Sequence, residues 1–277
     1  MKRTVTMGLL RFNILLFSVG CSCQNEKHGD KIVRDQPSQE AIIEKYATNC
    51  AHNYNYYLPE WQECLNAGLQ KDSTIAYLWQ QKAMPYFKQK KYEAGFQHLQ
   101  KAVLYDRKRY LPYSAFINCI FARRYGQAIA EFEQCIKLNG NSYEMDHTYR
   151  FYIALSYLQL NKFSEAEKVF KEDIADQSQK YGEAHYLDRF YYGIALYEQK
   201  RWVDAIAQFD VSLIVYTEFS EARYYKSLCL ARLGQLKQSD ILMKEAASYA
   251  KSGYSINEDN AIYEDYPYKV AWKTIGF

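Results

Sequence analysis

Residues 190–209 read FYYGIALYEQKRWVDAIAQF, and this stretch decides the fold. Within it two small residues, Gly193 and Ala205, stand twelve positions apart among bulky aromatic side chains. The same spacing of small residues recurs at three other places: Ala83 and Gly95, Ala154 and Ala166, and Ser227 and Ser239. A fixed internal offset that returns with a period of about 34 residues indicates one recurring unit, a stacked pair of helices.

Large apolar residues stand at constant distances from these small ones. Three positions before the second small residue are Tyr92, Phe163, Trp202 and Leu236, and four positions after it are Leu99, Phe170, Phe209 and Met243. A small residue on each helix lets the two axes approach closely, while the large residues fill the space beside that contact. Beyond Pro37 the apolar residues recur at three and four positions without strand-like alternation, so the sequence predicts an all-α fold.

The pattern resembles the tetratricopeptide repeat, which has an aromatic residue early in its first helix and small residues at fixed positions in both helices. The residues that match in the first clear unit are Trp79, Ala83, Tyr86, Gly95, Leu99 and Ala102. The resemblance implies a right-handed superhelical solenoid of antiparallel helix pairs, with about five units in residues 73–251 and a degenerate pair in residues 38–72. One unit departs from the spacing of the pattern. Its second helix contains Tyr125, and its first helix, around residues 112–121, is shifted by one residue from the family spacing.

Two departures from the repeat carry predictions of their own. Asp173 occupies a position that is normally small and packed, so the stack is expected either to open there or to supply the carboxylate with a buried partner. Extra residues lengthen two connections between units, in NGNSYEMD at 139–146 and DQSQKYGEAH at 176–185. Insertions in a solenoid map to loops on one face, and we expect these two to contribute to partner specificity.

The amino-terminal residues 1–20 have the layout of a secretory signal. Lys2, Arg3 and Arg11 precede a short apolar run that ends at Cys21. A run of this length cannot cross a hydrocarbon layer of about 30 Å, so it is not expected to be a transmembrane helix. The protein is therefore expected to be exported.

The sequence around the first cysteines, LLFSVGCSCQ at 15–24, resembles a bacterial lipoprotein signal. Ser18 stands where the pattern usually has leucine, and Cys23 is a second candidate. The resemblance implies cleavage before Cys21 and lipidation of that cysteine, with an ordinary signal peptide as the alternative. Residues 21–37, which are polar and aperiodic, would then form a tether.

The charge balance argues against a nucleic-acid partner. Removal of residues 1–20 leaves 32 Lys+Arg against 32 Asp+Glu, so the mature chain is neutral. Nucleic-acid binding needs a concentrated positive field, which a neutral chain without a basic patch does not supply. Lys90 and Lys91 fall at a predicted turn, where solvated charge is the simplest explanation.

The cysteines and histidines give one structural prediction and no catalytic one. Cys50 and Cys64 lie on successive predicted helices and form the most plausible disulfide of an exported chain. The five histidines show no zinc-binding spacing, and no nucleophile or phosphate-binding motif occurs, so we expect no enzyme, no cofactor and no metal site. A surface site at His185, close to Glu183 and Asp188, is the alternative to a purely structural interpretation.

The resemblance also assigns residues to a partner-binding groove, because the family lines its concave surface with one face of each first helix. The groove residues implied in this way are Tyr77, Gln80, Met84, Phe87, Phe151, Leu155, Leu158, Phe190, Ile194, Tyr197, Tyr224, Leu228 and Arg232. They are mostly apolar, which favours an extended aromatic segment or a sugar stacked on tyrosine. Core packing is the alternative, since stacked repeats require large apolar residues in any case.

The carboxyl-terminal residues 252–277 carry rings and acids in alternation, in YSINEDNAIYEDYPYKVAW at 254–272. Because the last helix of a solenoid exposes an apolar side, this tail is expected to cap the stack. The alternative is that the tail lies in the protein's own groove and must be displaced by a partner.

These observations favour a membrane-anchored, non-enzymatic scaffold that binds a protein or peptide partner in the bacterial cell envelope. Ser22, following the cysteine in place of aspartate, favours the outer membrane by resemblance to lipoprotein sorting patterns. Two alternatives remain open. One is a glycan-binding lipoprotein of an outer-membrane uptake system, and the other is an accessory lipoprotein of outer-membrane protein assembly.

Overall fold

A computed structural model describes residues 36–276 of the chain. The predicted signal at 1–20, the lipidation site Cys21 and nearly all of the predicted tether at 21–37 lie outside the described residues. Within the described range twelve α-helices follow one another, and they are arranged as a helical solenoid. None of these helices is long and apolar enough to cross a membrane.

The amino-terminal part of the described chain is the least regular. Helix α1 (Gln36–Ile43) runs into a π-helical turn at Glu44–Thr48, and a 3₁₀ turn at Ala51–Asn53 precedes α2 (Pro59–Lys71). A disulfide joins Cys50 to Cys64, which confirms the predicted pairing. The buried residues of this part form a small hydrophobic cluster around Trp61 and Leu65, distinct from the main core.

Five helix pairs follow. They are α3 (Ala76–Lys88) with α4 (Tyr92–Tyr105), α5 (Arg107–Phe116) with α6 (Tyr125–Asn139), α7 (Tyr149–Gln159) with α8 (Phe163–Tyr181), α9 (Tyr186–Glu198) with α10 (Trp202–Val215), and α11 (Ser220–Arg232) with α12 (Leu236–Lys251). The large residues that the sequence places three positions before the second small residue, such as Tyr92 and Trp202, are the first residues of the second helices. The turns are equally regular, because the residue two positions before each second helix has a positive φ: Lys90, Arg123, Asn161, Lys200 and Gly234.

The small residues provide the close contacts that the sequence predicts. The ring of Phe209 lies directly on Gly193, where an added Cβ would come within 2.5 Å of the Phe209 Cε1 atom. Gly95 meets the ring of Phe87 in the same way. Because both rings are almost fully buried, each pair is fixed by a large side chain that occupies the space above a glycine.

The out-of-step helix has a specific cause. Helix α5 continues into a π-helical turn at Ile117–Phe121, where the Ala122 amide donates to the Ile117 carbonyl at 2.9 Å. A bond from residue i to residue i+5 accommodates one more residue than an α-helical turn. The one-residue shift in the sequence pattern around 112–121 is therefore the signature of this turn.

The two insertions do not both form loops. The first contains a two-residue β-hairpin, in which β1 (Tyr143–Glu144) pairs antiparallel with β2 (His147–Thr148). The second is mostly helical, because α8 extends to Tyr181 and only residues 182–185 connect it to α9. The prediction of a loop was wrong for the second insertion, where the extra residues instead lengthen the helix to 19 residues.

Candidate binding groove and an adjoining polar pocket

The inner face of the solenoid is the surface formed by the first helix of each pair, α3, α5, α7, α9 and α11. Residues 252–276, the tail, lie along this face. On the outward leg, Ser255 donates a hydrogen bond at 2.6 Å to Glu221 at the start of α11. Tyr263 reaches the opposite end of the stack, where its hydroxyl lies 3.2 Å from that of Tyr56 and the Lys88 ammonium lies 4.8 Å from its ring centroid.

Glu264 anchors the far end of the tail. Its carboxylate accepts a hydrogen bond from the Tyr92 hydroxyl and lies 3.4 Å from the Lys90 ammonium and 3.7 Å from the Arg123 guanidinium. Only 4% of the Glu264 side chain is exposed, so this carboxylate is held by one hydroxyl and two cations away from bulk water. Burial and the bond to Glu264 raise the pKa of Tyr92 to about 12, which keeps the phenol protonated as a donor.

The return leg of the tail brings it back across α9 and α11. The Tyr191 hydroxyl donates to the Pro267 carbonyl at 2.9 Å, and the Tyr268 hydroxyl donates to the Glu198 carboxylate at 3.1 Å. The Trp272 ring then meets Tyr224 edge-on, with centroids 5.4 Å apart. The tail therefore runs the length of the stack and turns back along it.

The beginning of the tail is fixed by a buried carboxylate. Glu221 is fully buried and accepts hydrogen bonds from the Ser255 hydroxyl, the Ile256 amide at 3.2 Å and the Ser220 hydroxyl at 3.0 Å. Burial raises the pKa of Glu221, whereas these donors act in the opposite direction. Removal of the tail would take the Ser255 and Ile256 donors away from this carboxyl.

A polar pocket of about 290 Å³ opens beside the groove. Both insertions contribute to its wall, the first through Tyr143 and Asp146 and the second through Gln177 and His185, and His147 lines it beside the first insertion. The His147 ring stacks on Phe151 with centroids 3.9 Å apart, and its Nε2 atom lies 3.1 Å from the Glu258 carboxylate of the tail. The pocket and the tail are thus joined through one histidine.

Asp188 lines the pocket, and the buried Asp173 lies beside it, since both carboxyl groups accept a hydrogen bond from Gln177. Asp173 is fully buried and accepts hydrogen bonds from Asn141 at 2.8 Å, Thr148 at 2.5 Å and Gln177 at 3.0 Å. This confirms the expectation that the carboxylate has buried partners. The stack does not need to open at Asp173, because the first insertion, β2 and α8 each supply one of these donors.

Asp188 and His185 have strongly shifted proton affinities. Asp188 is 1% exposed, and burial together with the neighbouring Asp173 raises its pKa well above the usual range. Its Oδ1 atom accepts a hydrogen bond from Gln177 at 3.0 Å, but within residues 36–276 its buried Oδ2 atom has no partner. Burial and then the adjacent His147 lower the pKa of His185 to about 4, so its ring is neutral at pH 7.

Comparison with known proteins agrees with the observed architecture. A family model described as tetratricopeptide repeat matches residues 120–179. Residues 120–179 therefore carry the tetratricopeptide repeat. Members of this family are scaffolds that bind protein or peptide partners, and no catalytic family is indicated. A search of curated protein sequences finds no match.

Solved structures of repeat proteins share the fold at low sequence identity. A tetratricopeptide repeat protein from Parabacteroides merdae superposes with a TM-score of 0.60 at 13% identity, over 79% of this chain and 88% of that one. MamA from Desulfovibrio magneticus RS-1 superposes with a TM-score of 0.55 at 13% identity, over 64% of this chain and 96% of that one. At this level of identity the likeness establishes the fold alone.

Six of the residues assigned to the tetratricopeptide groove are buried in the core. They are Phe87, Phe151, Leu155, Leu158, Phe190 and Ile194, each at most 1% exposed. Phe151 packs against Phe170 of its own pair and Tyr191 of the next, with centroids 6.3 and 5.7 Å away. Their assignment to an open groove was wrong, because neighbouring repeats fill this layer with the large side chains that stacking requires.

The wrong groove assignments correspond to a rotation of each first helix by one residue about its axis. Three of the side chains that contact the tail, Lys88, Tyr191 and Glu198, come directly after a residue assigned to the groove. One residue turns an α-helix by about 100°, which exchanges an inner-face position for one between repeats. Periodicity identifies the repeat but does not fix this rotation.

The other assigned residues remain predictions. Tyr77, Gln80, Met84, Tyr197, Tyr224 and Leu228 are partly buried, and Arg232 is exposed. Among them Tyr224 contacts the tail, through Trp272. The sequence interpretation missed Lys90, which was expected to be solvated but pairs with Glu264. The acids between the rings of the tail were the available signal, since a buried carboxylate requires a cation.

Proposed function

We propose that this tetratricopeptide protein is a non-enzymatic, lipid-anchored scaffold that binds an extended segment of a partner on its inner face. The observation that supports the proposal is the tail itself. The inner face holds an extended segment through aromatic contacts, hydroxyl bonds to main-chain and carboxylate oxygens, and a two-cation clamp on Glu264. These are contacts that recognise a ring-rich acidic peptide.

A partner of this chemistry has to compete with the tail. An attached segment acts at an effective concentration in the millimolar range for a short flexible connection, which disfavours a free peptide of equal intrinsic affinity. The partner must therefore bind more tightly than the tail, or bind where the inter-repeat insertions add contacts. The scaffold then responds to a partner by release of the tail.

The proposed location is the bacterial cell envelope, with the chain attached by lipid at Cys21 and facing the periplasm or the cell surface from the outer membrane. The resemblance of residues 15–24 to a lipoprotein signal and the short apolar run support this location. A lipidated amino terminus followed by a polar tether would leave the inner face free to meet partners beside the membrane. A glycan partner is the competing outcome of the experiments below.

We expect a labelled fatty acid to be incorporated into the wild-type protein and into Cys23→Ser, but not into Cys21→Ser. The two variants are matched, because both remove one cysteine of the same signal region. Metabolic labelling of cells that express the three chains, followed by gel fluorescence, measures the incorporation. Label on Cys21→Ser, or its absence from the wild type, would contradict the anchor at Cys21.

We expect a labelled peptide of residues 254–270 to bind Glu264→Gln about tenfold or more tightly than it binds the wild type. The substitution weakens the attached tail by removing a charge-assisted contact that is worth roughly 1.5–3 kcal/mol, so the free peptide competes better. Asp265→Asn is the matched control, because Asp265 is 72% exposed and pairs with Lys269 of the tail. Fluorescence anisotropy with the mature full-length chains measures the affinities.

A second substitution links that result to the inner face. Adding Arg123→Gln to Glu264→Gln removes one cation of the clamp, so the gain in peptide affinity should be largely lost. Equal binding of the peptide to all chains, or no binding to any, would contradict the proposal. Binding in a glycan array without peptide binding would instead support the glycan alternative.

A further inference from the structure

We propose that His147, His185 and Asp188 form a binding site for one divalent transition-metal ion of the zinc class. One ligand atom from each residue lies within 4.8 Å of the other two. Two imidazoles and one carboxylate with an open fourth position are a donor set that zinc uses in proteins. The site lies in the polar pocket, where His147 also contacts Glu258 of the tail.

The unpartnered oxygen of Asp188 is the second observation that points to an ion. Only 1% of Asp188 is exposed to solvent. Within the described part of the chain its Oδ2 atom has no hydrogen-bond partner. A buried polar atom without a partner costs roughly 1–3 kcal/mol. Coordination to a cation would satisfy this oxygen.

The charge of the pocket favours a cation. Asp173 and Asp188 are both buried and share the Gln177 amide, and no ion pair with lysine or arginine reaches either one within residues 36–276. The amino end of α9 opposes a cation with an effective charge of about +0.5. The carboxylates of Asp173 and Glu258 outweigh that half charge, and coordination of the ion would displace the proton of Asp188.

The surroundings of His147 match those of a metal ligand. A ligating histidine almost always donates its second ring N–H to a carboxylate, carbonyl or water, which fixes its orientation. The Nε2 atom of His147 lies 3.1 Å from the Glu258 carboxylate, and this bond leaves Nδ1 for the ion. The stacked ring of Phe151 further restricts the imidazole.

Binding requires a small movement of His185. Metal–ligand bonds of about 2.0–2.2 Å in a tetrahedral site place ligand atoms roughly 3.3–3.6 Å apart, which is closer than the upper limit of 4.8 Å found here. His185 immediately precedes α9, and its Nδ1 atom accepts a long bond of 3.4 Å from the Leu187 amide. Turning this ring towards the ion therefore disrupts little.

The test is isothermal titration of the mature, untagged chain with Zn²⁺ alone, in four variants. Wild type and the control His52→Gln should each bind one Zn²⁺ per chain. The control removes an exposed imidazole that is far from the three site residues in the sequence. His185→Gln and Asp188→Asn should bind at least tenfold more weakly. Circular dichroism should show all four folded without metal, because Asp188→Asn replaces the carboxyl with a neutral group of the same shape.

A thermal readout accompanies the titration. Zn²⁺ at a hundred times its Kd should raise the unfolding temperature of wild type and His52→Gln, but not of His185→Gln or Asp188→Asn, because only binding to the folded state stabilises it. Equal affinity in all four chains would show adventitious binding and overturn the proposal, as would no binding by wild type. Neither result bears on peptide binding, which is measured without metal.

Discussion

Replacing Phe190 with alanine should lower the free energy of unfolding by about 3–5 kcal/mol, the usual cost of removing a buried phenylalanine ring. Phe190 is fully buried, and its ring lies between Phe219, 4.9 Å away, and Phe209, 6.0 Å away. These partners belong to two successive helix pairs, so truncation leaves a cavity between repeats. Urea unfolding followed by circular dichroism measures the loss.

Arg232→Ala is the control, because Arg232 was assigned to the same groove but is exposed and should change stability by no more than about 0.5 kcal/mol. Together the two variants separate core residues from surface residues in the predicted set. A Phe190→Ala chain that unfolds at the wild-type urea concentration would contradict the inter-repeat position of the ring. Such a result would return Phe190 to the list of binding candidates.

Reduction of the Cys50–Cys64 disulfide should destabilise the amino-terminal part of the chain by about 3 kcal/mol. The bond closes a loop with a sequence separation of 14, and loop-closure entropy gives an effect of this size for about 15 residues. The affected residues surround Trp61 and Leu65, which form their own hydrophobic cluster. Hydrogen exchange with and without a phosphine reductant measures the change along the chain.

The effect of reduction should be local. In a solenoid each repeat is stabilised chiefly by its neighbours, so exchange should rise most in residues 38–71 and least beyond α5. The double variant Cys50→Ser, Cys64→Ser is the control and should not respond to the reductant. A uniform rise along the whole chain, or a response of the control, would contradict a local role for this bond.

The repeat architecture could be predicted from the sequence because several weak signals agree at fixed offsets. The residues expected to open the second helices, such as Tyr92 and Trp202, are the first residues of α4 and α10. Gly193 and Phe209 meet as the spacing indicates. These are local relations within one unit, and local periodicity records them.

The binding face could not be predicted in the same way. Phe190 and Tyr191 are adjacent, aromatic and fully buried between repeats, yet Tyr191 also bonds to the tail through its hydroxyl. Hydrophobicity does not distinguish them, because a superhelix buries most of the surface of each first helix. The decision depends on the rotation of the helix, which is set by its neighbours.

The polar pocket is even harder to predict from a single sequence than the binding face. His147, His185 and Glu258 are distant along the chain and match no spacing motif. They meet because the first insertion folds into a hairpin, the second lengthens α8, and the tail returns past both. Asp173 was the useful signal, since a carboxylate at a packed position requires a polar environment.

The path of the tail has a mechanical consequence. A superhelix of repeats behaves as a spring, because each repeat touches only its neighbours and small rotations add up along the axis. Here Tyr263 and Glu264 meet Tyr56 and Tyr92 across 207 and 172 residues of chain, and the return leg meets the other end of the stack. The tail therefore restrains the superhelix along its inner face, and a ligand that frees the tail would also allow the superhelix to extend.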